Sequence, residues 1–127
     1  MPNVQLYSLQ KVNGTHQLRT TPGAERIITF TDDFDEAHGR FMDTAALICA
    51  LDLIITIDTS IAHLAAGLGK KVWLLLPYHA DWRWLANNRS DSPWYPTMRL
   101  FWQQQEDDWE TVIARVVRAL KKESVLF

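Results

Sequence analysis

The stretch Leu53-Ile54-Ile55-Thr56-Ile57-Asp58-Thr59-Ser60-Ile61-Ala62-His63-Leu64-Ala65 carries an apolar, β-branched run straight into a helical one. Residues 53–57 have almost no polar face, which predicts a strand buried on both sides, the mark of a parallel sheet covered by helices. A helix is expected from about Ser60 to Leu68, with Gly69 suited to end it. Lys71-Val72-Trp73-Leu74-Leu75-Leu76 then reads as a second buried strand, stopped by Pro77. This strand–helix–strand unit is the nucleus of the fold. Upstream, Asp43 is placed to cap a helix through Ala45-Ala46-Leu47-Ile48-Cys49-Ala50-Leu51, apolar nearly all round and so expected to be well buried. Val4–Leu9 alternates as a strand and Arg26–Phe30 is a β-branched and aromatic one. Residues 10–25 between them read as irregular, with room for a short helical piece, and residues 31–36 as an acidic loop. Downstream, a long loop spans residues 77–97 with a helical turn at 81–85. Met98–Trp102 is a last strand, and a helix from about Asp107 to Glu123 carries Trp109, Val112, Ile113, Val116, Val117 and Leu120 at helical spacing. Strands separated by helices predict an α/β fold with a doubly wound parallel sheet, one domain over residues 1–127.

In such a sheet ligands bind beyond the carboxyl ends of the strands. The turn Asp58-Thr59-Ser60 falls at that edge, where the first turn of the following helix offers amides with no intrahelical acceptor and the positive end of the helix dipole. A diphosphate there can accept hydrogen bonds from the amides near Thr59, Ser60 and Ile61, and the two hydroxyls add donors. Asp58 would repel phosphate and is better aimed at a hydroxyl of a sugar or ribose. His63, one turn on, can donate to a phosphate oxygen. Spacing alone leaves a second reading open: Asp58 or Thr59 is only an N-cap, worth about 0.5–2 kcal/mol, and His63 a half-buried histidine with an internal partner. Neither Gly-x-Gly-x-x-Gly nor a Walker lysine is present, so the chain carries no dinucleotide fingerprint and no P-loop.

Composition narrows the classes further. With 47% hydrophobic and 22% charged residues the chain matches a globular protein, and its formal charge of −2 with no basic run gives no footprint for nucleic acid or anionic membrane. No stretch approaches the roughly 20 apolar residues that span a bilayer. The N-terminus lacks signal-peptide character, and the lone Cys49 fits a reducing compartment, so a cytoplasmic location is expected. Six tryptophans are many for 127 residues. The surplus between residues 82 and 102 either packs its own loop or faces a partner domain, a second copy or a ligand.

The run Asp58-Thr59-Ser60-Ile61-Ala62-His63-Leu64-Ala65-Ala66-Gly67-Leu68-Gly69-Lys70 resembles the Asp-Thr-Gly/Ala-x-x-His-Leu-Ala-x-Ala-Leu-Gly-Lys stretch of the heptosyltransferase-like glycosyltransferase family 9. Met42–Ile48 and Leu51–Ile55 are similar to what precedes it. Asp81-Trp82-Arg83-Trp84-Leu85 and Ser92-Pro93-Trp94-Tyr95-Pro96 resemble a branch often fused behind tetratricopeptide repeats. The resemblance covers residues 40–118, and residues 4–39 loosely. It implies a Rossmann-like half of a GT-B glycosyltransferase, the C-terminal half that holds the nucleotide-sugar donor. By the same resemblance Asp58 contacts the donor sugar, Thr59, Ser60 and the helix amides hold the diphosphate, and His63 sits beside them. Ser60 stands where the family has glycine or alanine. Arg83 and Tyr78, in the loop after the Val72–Leu76 strand, are further candidates, Arg83 for phosphate or for stacking on Trp82 or Trp84, Tyr78 with His79 for the nucleoside border.

No cofactor or metal is expected. Asp33-Phe34-Asp35 spells the Asp-x-Asp that chelates a metal in another glycosyltransferase fold, but the resembled family works without one. His16, His38, His63 and His79 show no ligand spacing. The acceptor site and usual base of a GT-B enzyme belong to an N-terminal domain, and no carboxylates here pair for acid–base work. A non-catalytic interaction module on the same fold, with its tryptophans at a protein interface, and a plain nucleotide-binding or signalling domain are the competing readings. The isolated chain is therefore expected to bind donor weakly and to transfer little or no sugar; turnover of a nucleotide-sugar by the pure protein onto any acceptor would refute this.

Overall fold

A computed structural model of the chain describes residues 3–10, 15–30, 34–36, 39–85 and 89–124. The elements run β1 (Leu6–Tyr7), α1 (Gln17–Thr20), a 3-10 turn (Ala24–Arg26), β2 (Ile27–Ile28), α2 (Met42–Ala50), β3 (Ile54–Ile57), α3 (Ser60–Gly67), β4 (Val72–Leu76), a 3-10 turn (Trp82–Trp84), β5 (Met98–Trp102) and α4 (Trp109–Ser124). The protein is α/β, and every strand pair is parallel. The strands form a three-stranded sheet, β3-β4-β5, and a separate two-stranded sheet, β1-β2, where one doubly wound sheet was expected.

All of β4 is buried, because its two faces meet different layers. Val72, Leu74 and Leu76 pack with Ile48 of α2 and Ala62, Ala65 and Ala66 of α3. Trp73 and Leu75 point the other way and pack with Phe101 and with Val112 and Val116 of α4. Helices thus cover both faces, as the apolar run predicts. The small residues of α3 let that helix sit close on the sheet. Gly69 ends it at φ +77°, with Gly69 N–H donating to Ala66 C=O and Lys70 N–H to Ala65 C=O, a Schellman closure. The start of α4 is held by Asp108, whose carboxylate accepts from the Thr111 amide at 3.1 Å and hydroxyl at 2.7 Å. Those bonds from Thr111 lower the Asp108 pKa. The stabilisation they bring is complete above the ordinary carboxylate range and fades as pH falls through the depressed value.

Burial departs from the sequence reading at two elements. β3 is not buried on both faces: Ile54 is buried, but Ile55 and Ile57 are 39% and 55% exposed. The strand lies at the rim of its sheet, paired only with β4 among the described residues, and the α4 layer reaches no further than Leu53 beside it. α2 buries only Thr44 and Ile48 and leaves Ala46, Cys49 and Ala50 exposed. An all-round apolar helix signals burial only when something covers each face.

Asp43 is not the cap of α2. The helix starts at Met42 after Phe41 at φ 64°, which puts Asp43 inside the first turn. Asp35 caps from upstream: its Oδ1 accepts the Thr44 amide at 2.8 Å and its Oδ2 the Thr44 hydroxyl, while Asp43 Oδ2 accepts the Asp35 amide at 2.7 Å. Half of the Asp-x-Asp motif thus serves a helix terminus. Asp33 and His38 lie outside the described residues. Among those described, no group of three His, Cys, Asp or Glu is arranged to hold a metal ion, and no helix is long and apolar enough to cross a membrane. Asp35→Ala should lower unfolding free energy in urea by about 0.5–2 kcal/mol, equally with and without a metal chelator; a loss seen only after chelation would reassign Asp35 to a metal.

Candidate functional site

At the C-terminal end of β3 the chain passes through Asp58 and Thr59 into α3. Thr59 is the N-cap residue, extended at φ −139° and ψ 174°, yet its side chain makes no capping bond. Its hydroxyl turns back to the Ile57 carbonyl at 3.4 Å and lies 3.4 Å from the Thr56 hydroxyl. The Ala62 amide bonds to the Thr59 carbonyl at 3.1 Å. The amides of Ser60 and Ile61 have no acceptor among the described residues. Ser60 is exposed. This is the free, positively polarised helix start that an anion can occupy.

Beside it sits a tightly coupled cluster. Trp84 is fully buried, and a buried indole N–H needs an acceptor. It donates to Asp58 Oδ2 at 2.9 Å. The 3-10 turn that delivers Trp84 is itself capped by Asp81, which accepts from the Arg83 amide at 3.0 Å. His63, on the face of α3 toward this turn, stacks on Trp84 with ring centroids 5.7 Å apart. Its Nδ1 is 3.0 Å from the Tyr95 hydroxyl, and its Nε2 lies 3.6 Å from Asp58 Oδ1, an ion pair when the imidazole is protonated. Asp58 Oδ2 is committed to Trp84, whereas Oδ1 keeps acceptor capacity on a side chain 28% exposed.

The structure therefore brings together Asp58, Thr59, Ser60, Ile61 and His63. The contacts seen for Arg83 and Tyr78 are with other residues. Arg83 lies over the Trp82 ring at 5.7 Å and pairs with Asp81 at 3.7 Å. The Tyr78 amide donates to Gln103 Oε1 at 3.0 Å, which ties the end of β4 to the end of β5. Gln103 itself is buried, and its Nε2 has no partner among the described residues. The tryptophans divide: Trp73, Trp84 and Trp102 are core residues, while Trp82 and Trp94 are 74% and 57% exposed. Trp94 is anchored by its indole N–H to the Arg83 carbonyl at 2.8 Å.

Trp84 and Tyr95 are the site residues that sequence reasoning did not place against Asp58 and His63. They lie 26 and 32 positions from their partners along an irregular loop, so no local spacing signals the contacts. An open cleft of about 1300 Å³ lies elsewhere, along the N-terminal segments and Leu120.

Fold and site together define an α/β protein of parallel strands with polar side chains gathered where β3 meets α3. Among known proteins, the chain is similar to Protein FlbA of Caulobacter vibrioides, 33% identical over 79 residues, which are 62% of this chain and 13% of FlbA. The chain thus spans a small part of that relative's length. No protein-family model and no solved structure matches the chain.

The Trp84–Asp58 bond is open to a direct measurement. Trp84→Phe should cost about 1–3 kcal/mol of stability by leaving a half-buried carboxylate oxygen unpaired. A double-mutant cycle with Asp58→Ala should return a coupling of about 0.5–3 kcal/mol; additive losses would mean that the two side chains do not cooperate.

Proposed function

We propose that the chain is a Rossmann-like, donor-binding half of a GT-B glycosyltransferase, with the diphosphate of a nucleotide-sugar held at the start of α3. The observation that carries the reading is the pair of amides at Ser60 and Ile61 that have no acceptor among the described residues, at the C-terminal end of a parallel strand. A diphosphate there accepts from both amides and from the Ser60 hydroxyl, and the helix dipole opposes its charge. Asp58, with Oδ2 fixed by Trp84, presents Oδ1 to a sugar hydroxyl. His63, held by Tyr95, stands close enough to Asp58 to remain in place as charge builds up on the leaving diphosphate. The likeness of residues 58–70 to the family 9 stretch supports the same assignment. Arg83 and Tyr78, in the loop after β4, are further candidates in this reading, Arg83 for phosphate or for its stacking on Trp82, and Tyr78 for the nucleoside border.

The alternative, an interaction module without catalysis, draws on the exposed Trp82 and Trp94. Calorimetric titration with uridine, guanosine and adenosine diphosphates separates the two. Saturable binding is expected for at least one, weakened at least about tenfold, or 1.4 kcal/mol, by Ser60→Trp. Ser60 is exposed, so the indole blocks the anion site without entering the core. Absence of binding by all three would favour the interaction module.

A further inference from the structure

The stretch Ser92-Pro93-Trp94-Tyr95-Pro96 sends one side chain into the Asp58 cluster. Prolines at 93 and 96 restrict the backbone on either side of that residue, Tyr95. The Tyr95 carbonyl accepts the Met98 amide at 3.1 Å, which ties it to the start of β5, and the Trp94 amide donates to the Ser92 hydroxyl at 3.2 Å. The half-buried Tyr95 side chain packs against the core shared by α2, α3 and β4. Its hydroxyl therefore meets His63 from a fixed frame, 3.0 Å from Nδ1, with the ring centroids 5.8 Å apart. Trp84 stacks on the imidazole. Stacking sets the plane of the ring, and the tyrosine sets its edge: Nδ1 toward Tyr95, Nε2 toward Asp58.

Which nitrogen carries the hydrogen follows from these partners. A neutral imidazole has one N–H and one lone pair, an ionised carboxylate only accepts, and a tyrosine hydroxyl can do either. Asp58 Oδ1 lies 3.6 Å from Nε2, and Oδ2 is held by the Trp84 indole, so the carboxylate cannot turn away. A lone pair on Nε2 would face that negative charge, whereas an N–H is attracted to it. Nδ1 is then the acceptor, and the Tyr95 hydroxyl donates. At 3.6 Å the Nε2 hydrogen is drawn toward Oδ1 without forming a hydrogen bond. With the His63 side chain 33% exposed, a ligand oxygen can take it.

We propose that Tyr95 is a positioning residue: by donating to Nδ1 it fixes neutral His63 as the Nε2–H tautomer, so that the imidazole donates to an anion at the start of α3 without first becoming an imidazolium. The identity of the anion rests on the diphosphate reading above; the tautomer does not. Without the tyrosine hydroxyl, Nδ1 is free to carry the hydrogen, and Nε2 then turns a lone pair toward the ligand, which repels a phosphate oxygen.

Long-range proton–nitrogen NMR spectra of the imidazole rings in the whole chain read the tautomer directly, at a pH raised until the His63 signals stop changing. The wild type should show Nε2 protonated and Nδ1 bare. Tyr95→Phe, which removes only the hydroxyl, should show a mixture of the two tautomers. Pyrophosphate affinity should fall about three- to tenfold in Tyr95→Phe, the scale of one hydrogen bond. In a His63→Ala chain the same substitution should change affinity no further, as a residue that acts through the imidazole requires. Protonation at Nδ1 in the wild type, undiminished affinity in Tyr95→Phe, or an equal loss in the His63→Ala chain would each overturn the proposal and leave the diphosphate reading standing. Failure of the wild type to bind pyrophosphate would overturn the diphosphate reading and, with it, the donor role given to His63, whatever its tautomer.

Discussion

Everything in this structure is arranged around a strand that has no free side. β4 is paired on both edges and covered on both faces, so neither helical layer can shift without exposing apolar surface or breaking ladder bonds. Burial of a single Leu or Val side chain is worth about 1.5–3 kcal/mol, and β4 carries such residues at almost every position. Its neighbours take their places from it: α3 is pressed onto one face through alanines, and α4 onto the other through Val112 and Val116. With β3 registered against β4, the end of β3 and the start of α3 are fixed in space. The free amides of that junction are therefore held ready rather than formed by chance fluctuation.

The Asp58 cluster adds a second layer of constraint. A buried tryptophan that must find an acceptor reaches across from the loop to a carboxylate at the strand end, and a histidine stacks on its ring. This lashes the irregular segment after β4 to the edge where a ligand would sit. The same bond that stabilises the loop also orients Asp58, leaving one oxygen for chemistry. Structure and candidate function thus draw on one interaction, and a substitution there should disturb both.

How much of this was legible beforehand follows from the range of each interaction. β4 and β5 were readable to within a residue, since continuous apolar runs ended by Pro77 or flanked by loops leave little choice. The end of α3 at Gly69 was also local, because positive φ favours glycine. Asp35 as the cap of α2 was not, because the chain between them turns through a left-handed Phe41 that no propensity predicts. The exposure of Ile55, Ile57 and Ala46 was misread for a different reason: hydrophobicity reports what a residue would bury, not whether a neighbour is there to bury it. Of the candidate site, the contiguous residues 58–63 came together because they share one turn, whereas Trp84 and Tyr95 joined through contacts spanning the loop.

The central claim is that the Ser60 and Ile61 amides form an anion site. Amide NMR spectra recorded during addition of inorganic pyrophosphate address it residue by residue, without assuming a nucleoside. The account predicts saturable downfield shifts of those two amides, larger than at any exposed amide of α4. Unchanged Ser60 and Ile61 signals at saturating pyrophosphate, or shifts confined to lysine-bearing surface elsewhere, would contradict it.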